Sequence, residues 1–168
     1  MKVVFLDLDG VLATTKEFHL NESKFKKKHQ WANELNVNYP FNPGCVDILN
    51  GVLDETGWDI VLSSDWKDHW DLDGLDTIFI ANGVKKSPID VTHSRTMVPN
   101  KCNLEQDRAY QILSWVQENK PEDWVVFDDL KLGELFEVRG YKDNFFLCKS
   151  EEGLKKTGLK DKILKRMK

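Results

Sequence analysis

The amino-terminal segment joins a buried strand directly to two carboxylates, and this feature constrains the fold more than any other part of the sequence. Residues 3–6 (Val-Val-Phe-Leu) form a continuous apolar run, which is typical of a strand buried on both faces of a parallel sheet. Asp7 ends the run, Asp9 follows, and Gly10 permits a sharp turn. Open α/β sheets bind ligands at the carboxyl ends of their strands. Two carboxylates there need a cation or hydrogen-bond donors to offset their charge.

Two later segments repeat the pattern of an apolar strand that ends in polar side chains. The run at 58–62 leads into Ser63, whose hydroxyl can donate to a phosphoryl oxygen without adding charge. The run at 124–127 leads into the adjacent carboxylates Asp128 and Asp129. The sequence therefore predicts that carboxylates and a hydroxyl converge at one edge of a parallel sheet.

Helical segments separate these strands and define the fold class. We predict helices over residues 43–55, loosely over 70–79, over 103–119 and from 158 onward, and two further strands over residues 88–92 and 144–148. The buried stripe of the 103–119 helix is expected to comprise Ala109, Ile112, Leu113 and Val116. Alternating strands and helices predict an α/β fold, namely a three-layer, Rossmann-like parallel sheet of about five strands with helices on both faces.

The chain is expected to form one domain over residues 1–168, with a small cap-like insertion at 13–42. The net charge of −4 indicates neither strong attraction to nucleic acid nor strong repulsion from it. No apolar stretch approaches the length of a membrane span. The three cysteines are scattered, with no C-x-x-C pair, which argues against a zinc site or disulfides and favours a cytoplasmic protein.

The strand-end motifs resemble those of the haloacid dehalogenase (HAD) superfamily. Residues 7–12 (Asp-Leu-Asp-Gly-Val-Leu) match its first motif, D-x-D-G-V/T-L. Residues 61–67 (Val-Leu-Ser-Ser-Asp-Trp-Lys) resemble the S-S-x-W-R/K form of small HAD domains linked to RNA repair. Residues 108–115, followed by the acidic pair, resemble the R-x-x-E-I-x-x-W…DD form of the same group, with Gln111 in place of Glu. We treat that departure as harmless.

The resemblance implies catalytic roles for several of these residues. Asp7 would be the nucleophile, Asp9 the general acid/base, and Ser63 a donor to the phosphoryl group. A basic residue near the start of the helix before the last motif would also contact the phosphoryl group. Arg108 fits because it lies on that helix, and Lys101 just before the helix is the competitor.

The resemblance also implies a cofactor and a substrate-binding string. Mg²⁺ would be held by the carboxylates of Asp7 and Asp129 and by the backbone carbonyl of Asp9, with Asp128 as a direct or more remote ligand. The substrate is expected to be a phosphomonoester. Ser64, Trp66 and Lys67 are expected to bind it.

Substrate identity stays open at this level. The short insertion would leave the site accessible, and its lysine run at 24–28, with Trp31 and Trp66, suits a nucleotide or nucleic-acid end. A 3′-end phosphatase, a mononucleotidase and a sugar phosphatase are all compatible with these features. The oligomeric state also stays open.

Other classes of protein also collect acidic residues at strand ends. A metal-dependent nuclease needs neither Asp9 as acid/base nor Ser63, and a receiver domain would offer only Asp90 on the third strand. A non-catalytic binding protein on a HAD scaffold is a further alternative. A kinase is disfavoured because the sequence has no G-x-x-x-x-G-K-S/T loop.

Overall fold

The computed structural model describes residues 1–94 and 103–168. Its strands form one parallel sheet in the order β3-β2-β1-β4-β5. They are β1 (Lys2–Leu6), β2 (Asp59–Leu62), β3 (Pro88–Val91), β4 (Asp123–Asp128) and β5 (Phe145–Leu147). This arrangement confirms the predicted α/β class and strand number.

Helices connect the strands. They are α1 (Thr15–Phe18), α2 (Glu22–Lys28), α3 (Gln30–Glu34), α4 (Pro43–Thr56), α5 (Leu72–Ala81), α6 (Leu104–Asn119), α7 (Gly133–Glu137) and α8 (Leu159–Met167). Single 3₁₀ turns lie at Asp65–Asp68 and Lys142–Asn144. No helix among the described residues is long and apolar enough to cross a membrane.

Local sequence signals explain where the long helices begin and end. Asn42 caps α4 by accepting a hydrogen bond from the amide of Gly44, and Gly57 ends the helix in the left-handed conformation (φ 74°). Asn103 and Gln106 form the predicted reciprocal capping box of α6. These caps fix the two helices that lead into β2 and β4.

The sheet has a buried core on each face. Helices α4, α5 and α8 pack against one face, and α6 and α7 pack against the other. On the second face, Phe5 contacts Trp115 and Trp124 edge to face, with ring centroids 5.3 and 6.0 Å apart. The two layers of helices leave the carboxyl ends of the strands as the site of the polar cluster.

The predicted stripe of α6 requires a correction. Ala109 and Ile112 are buried as expected, but Leu113 and Val116 are only partly buried at its edge. The buried face of α6 comprises Arg108, Ala109, Gln111, Ile112 and Trp115. Two polar residues on the buried face interrupted the apolar periodicity and displaced the prediction.

The segment at 13–42, predicted to be a cap-like insertion, contains the short helices α1, α2 and α3. Phe25 packs edge to face on Trp31 (5.9 Å between ring centroids), whereas Phe18 contacts Tyr39 (4.9 Å). Through Tyr39, the insertion reaches the carboxyl edge of the sheet.

Candidate active site

Sheet hydrogen bonds fix the backbone of the site. The amide of Asp7 donates to the carbonyl of Phe127 (3.0 Å), and the amide of Ser63 donates to the carbonyl of Leu6 (2.8 Å). The parallel ladder therefore continues one residue beyond β1 and β2. This extension holds the first carboxylate and the first hydroxyl at adjacent strand ends.

Three carboxylates from two neighbouring strand ends converge. Asp7, Asp128 and Asp129 each offer an oxygen, and these oxygens lie within 4.8 Å of one another. Gly10 has a left-handed backbone (φ 73°), and a Cβ built there would lie 2.1 Å from Oδ2 of Asp129. Only glycine allows this turn to approach the Asp129 carboxylate so closely.

Arg108 projects from the first turns of α6 into the acidic cluster. Its Nη1 lies 3.2 Å from Oδ1 of Asp7 and 2.9 Å from Oδ2 of Asp128. Its Nη2 lies 3.2 Å from Oδ1 of Asp65. The side chain is buried, and burial opposes its charge, but the neighbouring carboxylates raise the pKa of Arg108 above its ordinary value. Arg108 is therefore a permanent cation at the predicted nucleophile.

One guanidinium does not neutralise the cluster. Burial raises the pKa of Asp7 from 3.8 to about 6, with Arg108 opposing the rise. Burial, followed by the charge of Asp7, raises the pKa of Asp128 well above its ordinary value. Carboxylate oxygens are the ligands that Mg²⁺ prefers. Both the donor set and its excess of negative charge therefore fit a divalent cation.

Asp9 has a different environment from Asp7. Its Oδ1 accepts a hydrogen bond from the Tyr39 hydroxyl (2.9 Å), and its Oδ2 accepts one from Nε1 of Trp66 (3.1 Å). Burial raises the pKa of Asp9, and these two hydrogen bonds oppose the rise. Asp9 is thus oriented by neutral donors, whereas Asp7 is paired with a cation.

The two serines after β2 differ in their position relative to the site. A cavity of about 160 Å³ is lined by Asp7, Asp9, Ser64, Asp65, Leu104, Arg108, Asp129 and Leu130. Both serine hydroxyls are buried without a standard hydrogen bond among the described residues, although Ser64 is close enough to Asp7 to lower its pKa. Ser64 lines the cavity. Ser63, the residue before it, is buried and is not among the lining residues.

Of the remaining predicted residues, the structure places Trp66 and Lys67 beside the site, and it does not describe Lys101. Nζ of Lys67 donates to the Ser64 carbonyl (3.2 Å), and burial lowers the pKa of Lys67. Trp66 orients Asp9, as described above. Lys101 lies outside the described residues, so its assignment stays a prediction.

The structure adds three residues that the sequence analysis did not identify. They are Tyr39, which donates to Asp9, Asp65, which contacts Arg108, and Ser150, whose Oγ donates to Oδ2 of Asp129 (2.6 Å). Ser150 follows the end of β5, so the strand-end rule could have suggested it. Asp65 lies inside the S-S-x-W-K string at the unspecified position.

Comparison with known proteins agrees with this geometry. Residues 3–159 match the model of the HAD domain in Swiss Army Knife RNA repair proteins. Neither a curated protein nor a solved structure gives a significant match. Because the matched region covers nearly the whole chain and includes every strand end described above, the chain belongs to this family of HAD domains.

Proposed function

We propose that this protein is a Mg²⁺-dependent phosphatase that hydrolyses a phosphomonoester through an aspartyl-phosphate on Asp7. The observation that carries the proposal is the contrast between Asp7, which contacts Arg108, and Asp9, which accepts hydrogen bonds from Tyr39 and Trp66. Two carboxylates in unlike environments suit two different roles. Membership of a HAD family supports a hydrolase of this general type.

The first half-reaction forms the covalent intermediate. A carboxylate oxygen of Asp7 attacks phosphorus, and the bond from phosphorus to the leaving oxygen breaks. Asp9 gives its proton to the leaving alkoxide, which departs as an alcohol. Arg108 and the hydroxyls of Ser63 and Ser64 would donate to the phosphoryl oxygens and stabilise their charge.

The second half-reaction regenerates the enzyme. Asp9, now ionised, takes a proton from a water molecule, whose oxygen attacks phosphorus. The bond from phosphorus to the Asp7 oxygen breaks, which releases inorganic phosphate and restores the Asp7 carboxylate. The same residue therefore acts as acid and then as base, which the raised pKa of Asp9 favours.

Asp7, Asp128 and Asp129 would hold Mg²⁺ through carboxylate oxygens, together with the backbone carbonyl of Asp9. When bound, the ion would offset the charge of the carboxylates and of the substrate phosphate. Without that charge, a carboxylate would have to attack a phosphate dianion against electrostatic repulsion. Arg108 supplies a single positive charge against this repulsion, which is less than the negative charge of the carboxylates.

The test is a screen of phosphomonoesters, with 3′- and 5′-phosphorylated oligonucleotides among them because the family description refers to RNA repair. We expect Mg²⁺-dependent release of phosphate and an acid-stable phosphoenzyme that Asp7→Asn does not form. Full activity in EDTA would contradict the metal assignment. Internal cleavage of an unphosphorylated oligonucleotide, with no phosphoenzyme, would instead support a metal-dependent nuclease.

A further inference from the structure

A second cavity, of about 220 Å³, adjoins the site on the side of Asp9. Its lining residues are Asp9, Asn36, Val37, Asn38, Tyr39, Asp65, Trp66, His69 and Trp70. It shares Asp9 and Asp65 with the cavity that contains Asp7 and Arg108. A substrate that extends from one cavity into the other would therefore pass beside the Asp9 carboxylate.

Aromatic rings form much of the wall of this second cavity. The ring of Trp66 lies 5.9 Å from that of Tyr39 and 5.0 Å from that of Trp70, measured between centroids. His69 lies 5.6 Å from Trp70. Nε1 of Trp66 donates to Asp9, and Nε1 of Trp70 donates to the Leu35 carbonyl (2.9 Å). Because these hydrogen bonds fix both indoles, a flat ligand would meet a preformed surface.

The polar groups of the cavity indicate what part of a substrate it accepts. Among the described residues, no lysine or arginine lines it, and it contains the carboxylates of Asp9 and Asp65. A phosphate group is therefore disfavoured within it. At the open side, the exposed amide of Asn38 can hydrogen-bond to a neutral group, whereas Oδ1 of Asn36 already accepts a hydrogen bond from Nζ of Lys26 (2.6 Å). A neutral, flat group with polar edges fits these features.

We propose that this cavity binds the terminal nucleoside of the phosphorylated substrate, with its base against the aromatic wall of Tyr39, Trp66 and Trp70. The inference rests on the proposed function, because Asp9 is there the acid that protonates the leaving oxygen. The group that carries that oxygen must lie on the Asp9 side. The volume is below the range of about 300–1,000 Å³ of typical ligand pockets, which suits one nucleoside rather than several stacked nucleotides.

The proposal is tested by equilibrium binding to the inactive Asp7→Asn protein in Mg²⁺, so that catalysis does not enter the result. The probes are nucleoside 3′- and 5′-monophosphates and inorganic phosphate, measured by calorimetry. Trp70→Ala should weaken binding of the nucleotides by roughly 5- to 150-fold, the equivalent of about 1–3 kcal/mol for a base stacked on an aromatic ring. Binding of inorganic phosphate should change little, because Trp70 does not line the cavity that contains Asp7 and Arg108.

Matched variants separate stacking from a general loss of structure. Trp70→Phe keeps a ring but removes the hydrogen bond to Leu35, and it should retain most of the nucleotide affinity. Trp31 lies in the 13–42 segment, as Tyr39 does, but it packs on Phe25 and does not line the cavity. Trp31→Ala should therefore leave nucleotide affinity nearly unchanged. Asn38→Trp places a bulky side chain at an exposed edge of the cavity and should weaken nucleotide binding even if Trp70→Ala fails to fold.

Equal affinities for nucleotides and inorganic phosphate would overturn the proposal, as would equal losses in Trp31→Ala and Trp70→Ala. A nucleotide-selective loss in Trp70→Ala and Asn38→Trp would support it. If that loss occurred in a protein whose wild type forms no phosphoenzyme, the nucleoside cavity would stand and the aspartyl-phosphate mechanism would fall.

Discussion

Replacing Asp7 by asparagine is expected to abolish turnover and yet stabilise the metal-free protein. Burial raises the pKa of Asp7 from 3.8 to about 6 even though Arg108 opposes the rise. A carboxyl whose pKa is higher in the folded state destabilises that state once it ionises. At about 1.4 kcal/mol for each pKa unit, the cost above pH 6 is about 3 kcal/mol. Asparagine removes the charge at nearly constant shape, so the melting temperature should rise by as much as about 6–12 °C.

The stability gained by Asp7→Asn should depend on pH. The penalty is fully present above the folded pKa of about 6, and it is lost as the pH falls from there towards 3.8, where the unfolded carboxyl also takes up its proton. The advantage of Asp7→Asn near pH 5 should therefore be about half of that near pH 7.5. Mg²⁺ should stabilise the wild type by binding its folded state and so reduce the difference between the two proteins.

The assay is denaturant unfolding of both proteins in EDTA at the two pH values, with turnover measured separately in Mg²⁺. Asp123→Asn is the matched control, because Asp123 accepts two hydrogen bonds from Arg166 (2.8 and 2.7 Å) that lower its pKa. That variant should lose up to about 1 kcal/mol rather than gain stability. If Asp7→Asn were no more stable than the wild type near pH 7.5, burial would not be the dominant influence on Asp7. Residual turnover above a few per cent would mean that water attacks phosphorus directly.

Three further results are expected. Ca²⁺ should replace Mg²⁺ poorly in phosphatase assays, because its larger and irregular shell suits in-line attack less well, and equal rates would argue against the carboxylate nucleophile. Arg108→Ala should lower kcat by roughly a hundredfold, or on the order of 3 kcal/mol, and Lys101→Ala by well under tenfold. The reverse ranking would assign the basic role to Lys101. Tyr39→Phe removes a hydrogen bond that lowers the pKa of Asp9. The limb of the pH–rate profile that is due to Asp9 should therefore move to higher pH. If that limb does not move, Tyr39 has a packing role only.

The sheet could be predicted because its strands carry the strongest signal in the sequence. The runs at 3–6 and 124–127 are apolar at every position, as burial on both faces requires. The start of α6 could also be predicted, because the capping box of Asn103 and Gln106 is a pattern of residues only three positions apart. The buried face of α6 was harder to predict, because Arg108 is buried for its charge interactions and therefore breaks the apolar periodicity.

The surroundings of Asp9 could not be predicted in the same way. Tyr39 lies 30 positions from Asp9 in the sequence and belongs to a segment without sustained periodicity. Its contact depends on how the short helices of the insertion fold over the sheet edge, which no local pattern specifies. The resemblance to HAD domains identified the residues on strand ends and Trp66, which donates to Asp9, but it gave no information on Tyr39.

The extended ladder at Asp7 and Ser63 has a consequence for how the protein can change. The reacting carboxylate is held by the hydrogen bonds that pair the central strands, so a mutation that shifts it must also disturb the most deeply packed part of the molecule. The residues around Asp9 belong largely to short helices and turns outside the sheet. Substitutions at the exposed positions there, such as Asn38, can alter which molecule is accepted with little effect on the sheet. The position of the reacting carboxylate is therefore tied to the stability of the sheet, whereas the contacts around Asp9 depend on it less directly.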